Sequence, residues 1–453
     1  MQPLPKEFEE QMKRLLGEAG FFAYLDALNQ PYTRALRVNL LLRPDGTPPC
    51  PIEGLGAPVP WAKGAYFVEG DARPGLSPLH EGGLFYMQEP SALTAVTALD
   101  PQPGERVLDL CAAPGGKSTQ IAALMAGRGL LCCNEPIPSR AQILSRNIER
   151  MGVRNAVVLS AMPDALAPRF PAFFDRILVD APCSGEGMFR RQPEARDEWD
   201  ADAPRRCADR QMEILAQAAK MLRPGGTMVY STCTFNDTEN EGVLKRFLAL
   251  HPEFSLVPFA LPGLPEAKDG YLHLYPHEMR GEGHFVSRLK KADGADEADA
   301  PVQAAPQRKA PARAAAKGKA PAPIALPDVF SDAFAPERLY TAGDALWMLP
   351  EGISIERLSG LRVLRTGLLL AHAEGKRSEP DHALAMALRP EETARTASLT
   401  QTQALAYQAG ETLSLGDLAG GYTLLCCEGV SLGWGKQAGG LMKNHYPKGL
   451  RRR

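Results

Sequence analysis

The sequence at residues 106–118 is RVLDLCAAPGGKS, a short apolar run that leads into a glycine-rich turn. An apolar run bounded by a turn is typical of a buried strand. Gly115 and Gly116 allow the backbone to approach a ligand closely, because glycine has no Cβ atom. Such a turn after the first strand of an α/β sheet is a ligand-binding loop by position. Because it matches neither GxGxxG nor GxxxxGK[ST], a dinucleotide or a triphosphate is not the first expectation.

Residues 76–290 alternate between strand and helix patterns, which predicts a parallel sheet built from βαβ units and an α/β fold class. The residues RPGG at 223–226 are expected to form a turn between a helix and a strand. Further helices are expected over 119–126, 139–151, 209–222 and 239–250, and strands over 129–134, 156–159, 177–180, 227–230 and 281–287.

An acid follows the second of these strands. Glu135 lies 20 residues after Gly115, and a carboxylate at this place commonly accepts hydrogen bonds from a ribose diol. The glycine-rich turn and this acid together predict a nucleoside-containing cofactor. The alternative is an ordinary turn followed by a solvent-facing glutamate.

Two cysteines follow two other strands, each in a polar loop. Cys183 comes three residues after Asp180 at the end of one strand, and Cys233 ends the stretch YSTC after the next. Either cysteine alone reads equally well as a small buried hydrophobe. Neighbouring strands lie about 4.8 Å apart, so both thiols are expected to reach one substrate group. An activated thiol, an acid and a nucleoside cofactor suit attack on a pyrimidine ring, which is inert until a nucleophile adds to it.

The composition limits the classes of function. The chain is 44% hydrophobic and 23% charged with a formal net charge of −2, and no run approaches a membrane span of about 20 apolar residues. Its nine cysteines include no CxxC pair, which argues against a disulfide framework and a zinc site. We therefore expect a cytoplasmic protein with reduced cysteines, no metal and no membrane partner.

The flanking regions have different patterns. Residues 1–75 show a helical pattern and then a strand that carries Arg34 and Arg37, which are expected to be solvated or to contact a nucleic-acid backbone. Residues 291–327 are rich in Ala and Pro, which predicts a disordered basic linker. Residues 328–453 form a further folded region whose end is basic, with interleaved Trp and Tyr. This pattern favours RNA contact, although a merely basic tail has a similar sequence.

Four motifs resemble the NOL1/NOP2/Sun family of S-adenosylmethionine-dependent RNA cytosine-C5 methyltransferases. They are ALRVN at 35–39, DLCAAPGGK at 109–117, DAPCSGEG at 180–187 and YSTCT at 230–234. GWGK at 433–436 and KNHYPKGLR at 443–451 are similar to the bacterial RsmF-type members, which carry a PUA-like RNA-binding module and modify small-subunit ribosomal RNA. The resemblance implies a Rossmann-like methyltransferase domain over 76–290, a small N-terminal α+β region over 1–75 and a C-terminal PUA-like region over 328–453.

The resemblance also implies roles for individual residues. Cys233 would add to C6 of cytosine, Cys183 would assist release of the enzyme, and Asp180 would hold the N3 and amino edge of the ring. Asp180 would also lie among the cofactor-binding residues. Asp164 is displaced from the position at which the family often has an adenine-contacting acid. The other residues expected to bind the cofactor are Cys111, Ala112, Ala113, Pro114, Gly115, Gly116, Lys117 and Glu135.

Other functions stay open at this point. One is a methyltransferase of DNA cytosine or RNA adenine. Here, however, the Pro182-Cys183 loop continues with Ser184, where DNA cytosine enzymes resemble one another in a Pro-Cys-Gln loop. The others are a transfer RNA cytosine-C5 methyltransferase and a catalytically idle RNA-binding ribosome assembly factor. We expect a monomer that acts on 16S ribosomal RNA or the small subunit, with Arg190 and Arg191 either gripping phosphates or solvated.

Overall fold

The computed structural model describes residues 4–294, 336–374 and 377–452, which contain four β-sheets. The linker expected at 291–327 lies outside the described residues apart from 291–294. No helix within these ranges is long and apolar enough to cross a lipid bilayer.

The N-terminal region combines one long helix with an antiparallel sheet. Its elements are α1 (Lys6–Leu28), β1 (Arg34–Val38), β2 (Leu55–Pro58), β3 (Ala65–Val68), α2 (Pro78–Glu81) and β4 (Phe85–Gln88). The strand order is β2-β3-β1-β4, so the N-terminal sheet extends beyond residue 75 to Gln88. Phe8 and Met12 of α1 are buried against Phe189 and Trp199 of the next domain, which fixes the helix against that domain.

The central domain contains the alternating strands and helices. Its elements are α3 (Thr94–Leu99), β5 (Arg106–Asp109), α4 (Gly116–Leu124), β6 (Leu130–Asn134), α5 (Pro138–Arg150), β7 (Ala156–Leu159), α6 (Pro163–Leu166), β8 (Phe174–Asp180), α7 (Glu194–Glu198), α8 (Ala203–Met221), β9 (Leu222–Thr232), α9 (Glu241–Leu250), β10 (Phe254–Leu256), β11 (Tyr271–Leu274) and β12 (His284–Lys291). Strands β5 to β9 pair in parallel, and β12 pairs antiparallel with β9.

The strand order places a crevice in the middle of this sheet. The chain passes from β5 through β6 to β7 on one side, and then crosses to β8 and β9 on the other. In open α/β sheets, ligands bind outside the carboxyl ends of the strands where the order reverses. The ends of β5, β8 and β9 therefore meet at the expected position of a ligand.

Both faces of the central sheet are buried, which explains its nearly continuous apolar strands. Val107, Leu131 and Val229 belong to one core, and Leu108 and Ile177 belong to the other, because successive side chains alternate between faces. This packing makes the strand ends a rigid support for the loops that follow them.

One boundary differs from expectation. Residues 223–226, expected to form a turn, lie inside β9, which begins at Leu222. The pairing with β8 shifts register between Phe174 and Arg176, and Gly225 adopts a φ of 68° there. A β-bulge therefore absorbs the extra residues without ending the strand.

The C-terminal region contains two four-stranded sheets in the described residues. Its elements are β13 (Leu339–Ala342), β14 (Ala345–Met348), α10 (Ile355–Leu358), β15 (Val363–Arg365), β16 (Leu368–Glu374), β17 (Arg377–Pro380), α11 (His382–Ala387), β18 (Thr396–Ser398), α12 (Gln401–Ala409), β19 (Gly421–Cys427), β20 (Val430–Ala438) and β21 (Leu441–Asn444).

A strand pairing and a shared hydrophobic core connect this region to the rest of the chain. Strand β15 pairs antiparallel with β7 and so covers an edge of the central sheet. Leu36 and Phe85 of the N-terminal sheet share a core with Tyr407 and Leu425 of the C-terminal region. The N-terminal and C-terminal regions therefore form one continuous side of the protein.

Candidate active site

A cleft of about 830 Å³ lies at the carboxyl ends of the central strands. Seven of the residues expected at the site line it, namely Cys111, Ala113, Glu135, Asp164, Asp180, Cys183 and Cys233. The other expected residues of the glycine-rich loop, Ala112, Pro114, Gly115, Gly116 and Lys117, are not among its lining residues. The structure therefore brings residues from the ends of five strands, β5 to β9, into one cleft.

The glycines of the loop lie close to side chains of α5 and β4. Gly115 has a φ of 113°, and a Cβ atom there would lie 3.2 Å from Leu144 Cδ1. A Cβ atom at Gly116 would lie 3.2 Å from Cε1 of Tyr86. Helix α4 thus begins with its backbone pressed against α5 and β4.

Glu135 and Asp164 lie on the same side of the cleft. Glu135 follows β6 and is 2% exposed, so it is not a solvent-facing glutamate. Its Oε1 accepts a hydrogen bond of 3.0 Å from the backbone N–H of Ile137, and Arg140 Nη1 lies 3.4 Å from its Oε2. Asp164 lies in the first turn of α6. Both carboxylates border the cleft.

Asp180 is the most strongly constrained acid of the site. Lys117 Nζ donates to Oδ2 at 2.8 Å, and Ser231 Oγ donates to Oδ1 at 2.8 Å. Nε2 of the buried His284 lies 3.5 Å from Oδ1. Burial opposes the charge of Asp180, but Lys117 and His284 outweigh it and hold its pKa well below the usual range. Asp180 is therefore an ionised hydrogen-bond acceptor.

The two thiols lie side by side. Sγ of Cys183 is 3.3 Å from Sγ of Cys233, within hydrogen-bonding distance for sulfur. The hydrogen bond with Cys233, together with burial, raises the pKa of Cys183 well above its usual value. Burial also raises the pKa of Cys111, the third cysteine of the cleft. Cys183 is therefore a neutral thiol next to Cys233.

Lys117 forms an ion pair with Asp180. Its ammonium lies on Asp180, between the cofactor loop and the thiols. Burial opposes its charge, but Asp180 and, to a smaller extent, Cys233 outweigh that effect and raise the pKa of Lys117. Lys117 is therefore a cation that two groups of the catalytic loops stabilise.

A buried glutamate that the sequence analysis missed joins the two cysteine loops. Glu239 Oε2 accepts from the backbone N–H of Ser184 at 3.0 Å and from Gln211 Nε2 at 2.8 Å, and Oε1 accepts from Asn236 Nδ2 at 2.8 Å. Burial raises the pKa of Glu239, although these hydrogen bonds act to lower it. The loop of Cys183 and the loop of Cys233 thus share one acceptor.

Glu186 makes a second link of the same kind. It is fully buried, and Oε2 accepts from the backbone N–H groups of Phe235 and Asn236 at 2.8 and 3.1 Å. Its Oε1 accepts from Gln11 of α1 at 2.9 Å. Glu186 was visible in the sequence as part of DAPCSGEG, but its partners lie 49 residues or more away along the chain.

We predict that Glu239→Gln lowers the rate of the chemical step by about a hundredfold, because a displacement of about 1 Å can have this effect. Both carboxylate oxygens accept N–H groups, so an amide NH₂ there faces a donor. A single-turnover measurement of the catalysed reaction determines the effect. The matched control, Glu198→Gln at the exposed end of α7, should keep the wild-type rate. Equal rates for the two variants would contradict a positioning role for Glu239.

Two arginines expected to be solvated or to contact phosphates are internal. Arg190 forms a bidentate ion pair of 2.7 Å with the buried Glu282 and donates to the carbonyl of Ala27. Arg37 is 1% exposed and donates to Thr119 Oγ1 at 2.8 Å and to the carbonyl of Gly116 at 3.2 Å. Both expectations were wrong, because Arg37 connects the N-terminal sheet to α4 and Arg190 connects the central domain to α1.

Arg37→Met should lower the free energy of unfolding by about 2 kcal/mol, because the buried oxygens of Gly116 and Thr119 lose their donor. Urea unfolding followed by circular dichroism measures this change. The control is Arg43→Met, since Arg43 is 38% exposed and lies 3.8 Å from Asp45, a surface pair worth at most about 1 kcal/mol. An Arg37 variant as stable as the control would refute this structural role.

The cleft suits a nucleoside-containing cofactor. Its volume of about 830 Å³ falls within the range of ligand pockets, about 300–1,000 Å³. A buried carboxylate at the end of β6 and an acid on α6 both border it. The backbone of Cys111 and Ala113 lies beside them, at the start of the glycine-rich loop.

A Rossmann-like sheet with this loop, acid and cleft defines the class of S-adenosylmethionine-dependent methyltransferases. The family model described as 16S rRNA methyltransferase RsmB/F matches residues 96–290. Models of the RsmF N-terminal domain, first C-terminal domain and PUA domain match residues 4–90, 327–388 and 394–452. Ribosomal RNA small subunit methyltransferase F of Erwinia tasmaniensis is 34% identical over 98% of this chain and 96% of its own. The chain therefore belongs to the RsmF family of ribosomal RNA methyltransferases.

Other similar proteins support the same family assignment. The Enterobacter sp. (strain 638) protein of the same name is 35% identical over 98% of this chain and 95% of its own. A methyltransferase homolog from Pyrococcus horikoshii superposes with a TM-score of 0.54 at 30% identity, covering 63% of this chain and 95% of that one. NSun6 from Pyrococcus horikoshii, solved with SFG, shares the fold with a TM-score of 0.55 at 23% identity, over 64% and 99% of the two chains.

These comparisons confirm several expectations. The fold class and the family are as predicted, and the chain is an RNA methyltransferase that uses S-adenosylmethionine. A PUA domain is present in the expected C-terminal region, but its model matches residues 394–452, and a different domain model matches 327–388. The roles of individual residues stay predictions.

Proposed function

We propose that this chain methylates carbon 5 of a cytosine in 16S ribosomal RNA through a covalent bond between Cys233 and C6 of the base. The distance of 3.3 Å between the sulfurs of Cys183 and Cys233 supports this proposal most strongly. Two thiols in contact next to an ionised acid provide a nucleophile and a partner for its departure. The C5-directed chemistry is that of the NOL1/NOP2/Sun resemblance, and the ribosomal RNA substrate is that of the named relatives.

The cofactor would bind on the side of the cleft that the glycine-rich loop, Glu135 and Asp164 form. Cys111 to Gly116 would hold its methionine part and ribose, with Cys111 and Ala113 lining the cleft and Glu135 on the ribose hydroxyls. Asp164 faces the adenine side. When bound, S-adenosylmethionine supplies the methyl group that C5 receives.

Asp180 and Lys117 hold the base. The ionised Asp180 accepts a hydrogen bond from the cytosine amino group. Lys117, fixed on Asp180 at 2.8 Å, is a donor for N3, where negative charge develops when a nucleophile adds to C6. The target base must first leave its stack, at a cost of a few kcal/mol that is lowest for an unpaired nucleotide.

The covalent step uses Cys233 as the thiolate. Its sulfur forms a bond to C6, the electron pair of the C5=C6 bond moves toward C5, and C5 takes the methyl group. A base from solvent then removes the C5 proton. The electrons of that C–H bond restore the double bond while the C6–S bond breaks and its electron pair returns to Cys233. The neutral Cys183 donates a hydrogen bond to the departing sulfur.

We further propose that the protein acts as a monomer in the cytoplasm. The residues assigned to the chemistry all lie in the central domain, which supports a site formed within one chain. The nine cysteines are free in the structure, which suits a reducing compartment.

A methyl-transfer assay with labelled S-adenosylmethionine tests this function on unmethylated 16S ribosomal RNA, followed by nucleoside analysis. We expect label in 5-methylcytidine. Label in transfer RNA alone would favour a transfer RNA enzyme. Cofactor binding without incorporation into any RNA would favour an idle assembly factor.

A further inference from the structure

A second cleft, of about 320 Å³, lies on the N-terminal side of the active site. We call it the arginine cleft, because Arg34, Arg73 and Arg191 line it together with Tyr32 and Leu76. Tyr32 is 46% exposed and Leu76 is 64% exposed. An aromatic ring, an apolar side chain and three guanidinium groups thus border one open space.

The cleft carries a net positive charge. No carboxylate of the described residues lies within 4 Å of the guanidinium nitrogens of Arg34, Arg73 or Arg191. Glu89 is the one acid that lines it, and Glu89 accepts from the backbone N–H groups of Ser91, Ala92 and Glu282 at 2.8 to 2.9 Å. The carboxylate of Glu89 is therefore neutralised in part by backbone N–H groups of its own loop and of Glu282. Arg34 donates to the backbone carbonyls of Ala72 and Gly70, so Arg73 and Arg191 are the arginines of the cleft that suit an anionic ligand.

The wall of the arginine cleft is continuous with the active site. Glu282, which is bonded to Glu89, also accepts from the backbone N–H of Thr33 at 2.9 Å, and His284 two residues later faces Asp180. The segment from Glu282 to His284 therefore connects the arginine cleft to Asp180 of the active site.

We propose that the arginine cleft binds a nucleotide of single-stranded RNA next to the target cytosine, with phosphates on Arg73 and Arg191 and a base against Tyr32 and Leu76. This inference rests on the proposed function. Single-stranded RNA is bound through bases stacked on aromatic side chains and phosphates on arginines. The cleft thereby selects unpaired RNA, from which a base is most easily turned outward.

The test measures binding of a fluorescein-labelled single-stranded oligoribonucleotide of nine nucleotides with one central cytidine. Full-length wild-type protein is compared with Arg73→Gln/Arg191→Gln and Tyr32→Ala by fluorescence anisotropy over a range of salt. The control is Arg362→Gln/Lys245→Gln, which removes two exposed charges outside the cleft. Calorimetry of S-adenosylmethionine binding checks that each variant is folded.

For the arginine variant, we expect Kd to rise at least about tenfold at low salt. Its slope of log Kd against log salt should fall by about 1.4, because each phosphate contact on a single strand contributes about 0.7. Tyr32→Ala should raise Kd about tenfold with an unchanged slope. The control should bind like the wild type.

Wild-type affinity in both cleft variants, or an unchanged slope in the arginine variant, would overturn the proposal. Equal weakening of RNA binding by the control and by the arginine variant would also overturn the proposal, because the effect would not be specific to the cleft. Methylation of RNA by the wild type is scored separately. A cleft that binds RNA in a protein without methyl transfer would refute the proposed function alone.

Discussion

Cys233→Ala abolishes methyl transfer to RNA, with a loss of more than about a thousandfold, because the variant lacks the thiol assigned to the bond with C6. S-adenosylmethionine binding stays within about twofold of wild type, since the alanine leaves the glycine-rich loop and Glu135 in place. Labelled methyl transfer and calorimetry measure the two quantities on the same protein.

Cys50→Ala is the control for the loss of a cysteine. Cys50 is a free, partly buried thiol of the N-terminal region, and its variant should retain wild-type activity. Substantial methylation by Cys233→Ala would assign the nucleophile to another residue. The neighbouring Cys183 would then be the first to test.

Cys183→Ala should accumulate a covalent complex between protein and RNA. Addition to C6 and methylation of C5 require only Cys233, whereas release loses the thiol that donates to the departing sulfur at 3.3 Å. A denaturing gel should reveal a band of higher mass that contains both protein and labelled RNA.

The double variant Cys183→Ala/Cys233→Ala should remove that band, because the adduct forms through Cys233. Absence of the band in the single variant, with turnover near the wild-type rate, would exclude Cys183 from the release step. Cys233→Ala therefore prevents the covalent complex, whereas Cys183→Ala accumulates it, although the two sulfurs are in contact.

Much of the fold was predictable because its signals are local. The apolar strand and glycine-rich turn at 106–118 identified β5 and its loop, and the acid at 135 was correctly placed at a strand end. The bulge at 223–226 was missed, because a Pro-Gly-Gly sequence predicts a turn unless pairing with a neighbouring strand holds it. Strand β15 has three residues, and its pairing with β7 is too distant in sequence to detect.

The supporting residues of the site were harder to predict, since their partners are distant in the chain. Arg37 donates to Gly116, 79 residues away, and Arg190 pairs with Glu282, 92 residues away. Charged side chains are usually solvated, so the sequence did not reveal that Arg37 contacts Gly116 or that Arg190 pairs with Glu282. Lys117 was assigned to the cofactor by its motif, whereas its contact with Asp180 depends on the order of the strands.

The central claim is the bond between Cys233 and C6, and RNA containing 5-fluorocytidine tests it most directly. Fluorine at C5 cannot leave as a proton, so release is blocked after methyl transfer. The wild-type protein is incubated with S-adenosylmethionine and this 16S ribosomal RNA, digested, and analysed by mass spectrometry. We predict a peptide that contains Cys233 linked to a methylated fluorocytidine. A link at Cys183, or no link while unmodified RNA is methylated, would contradict the account.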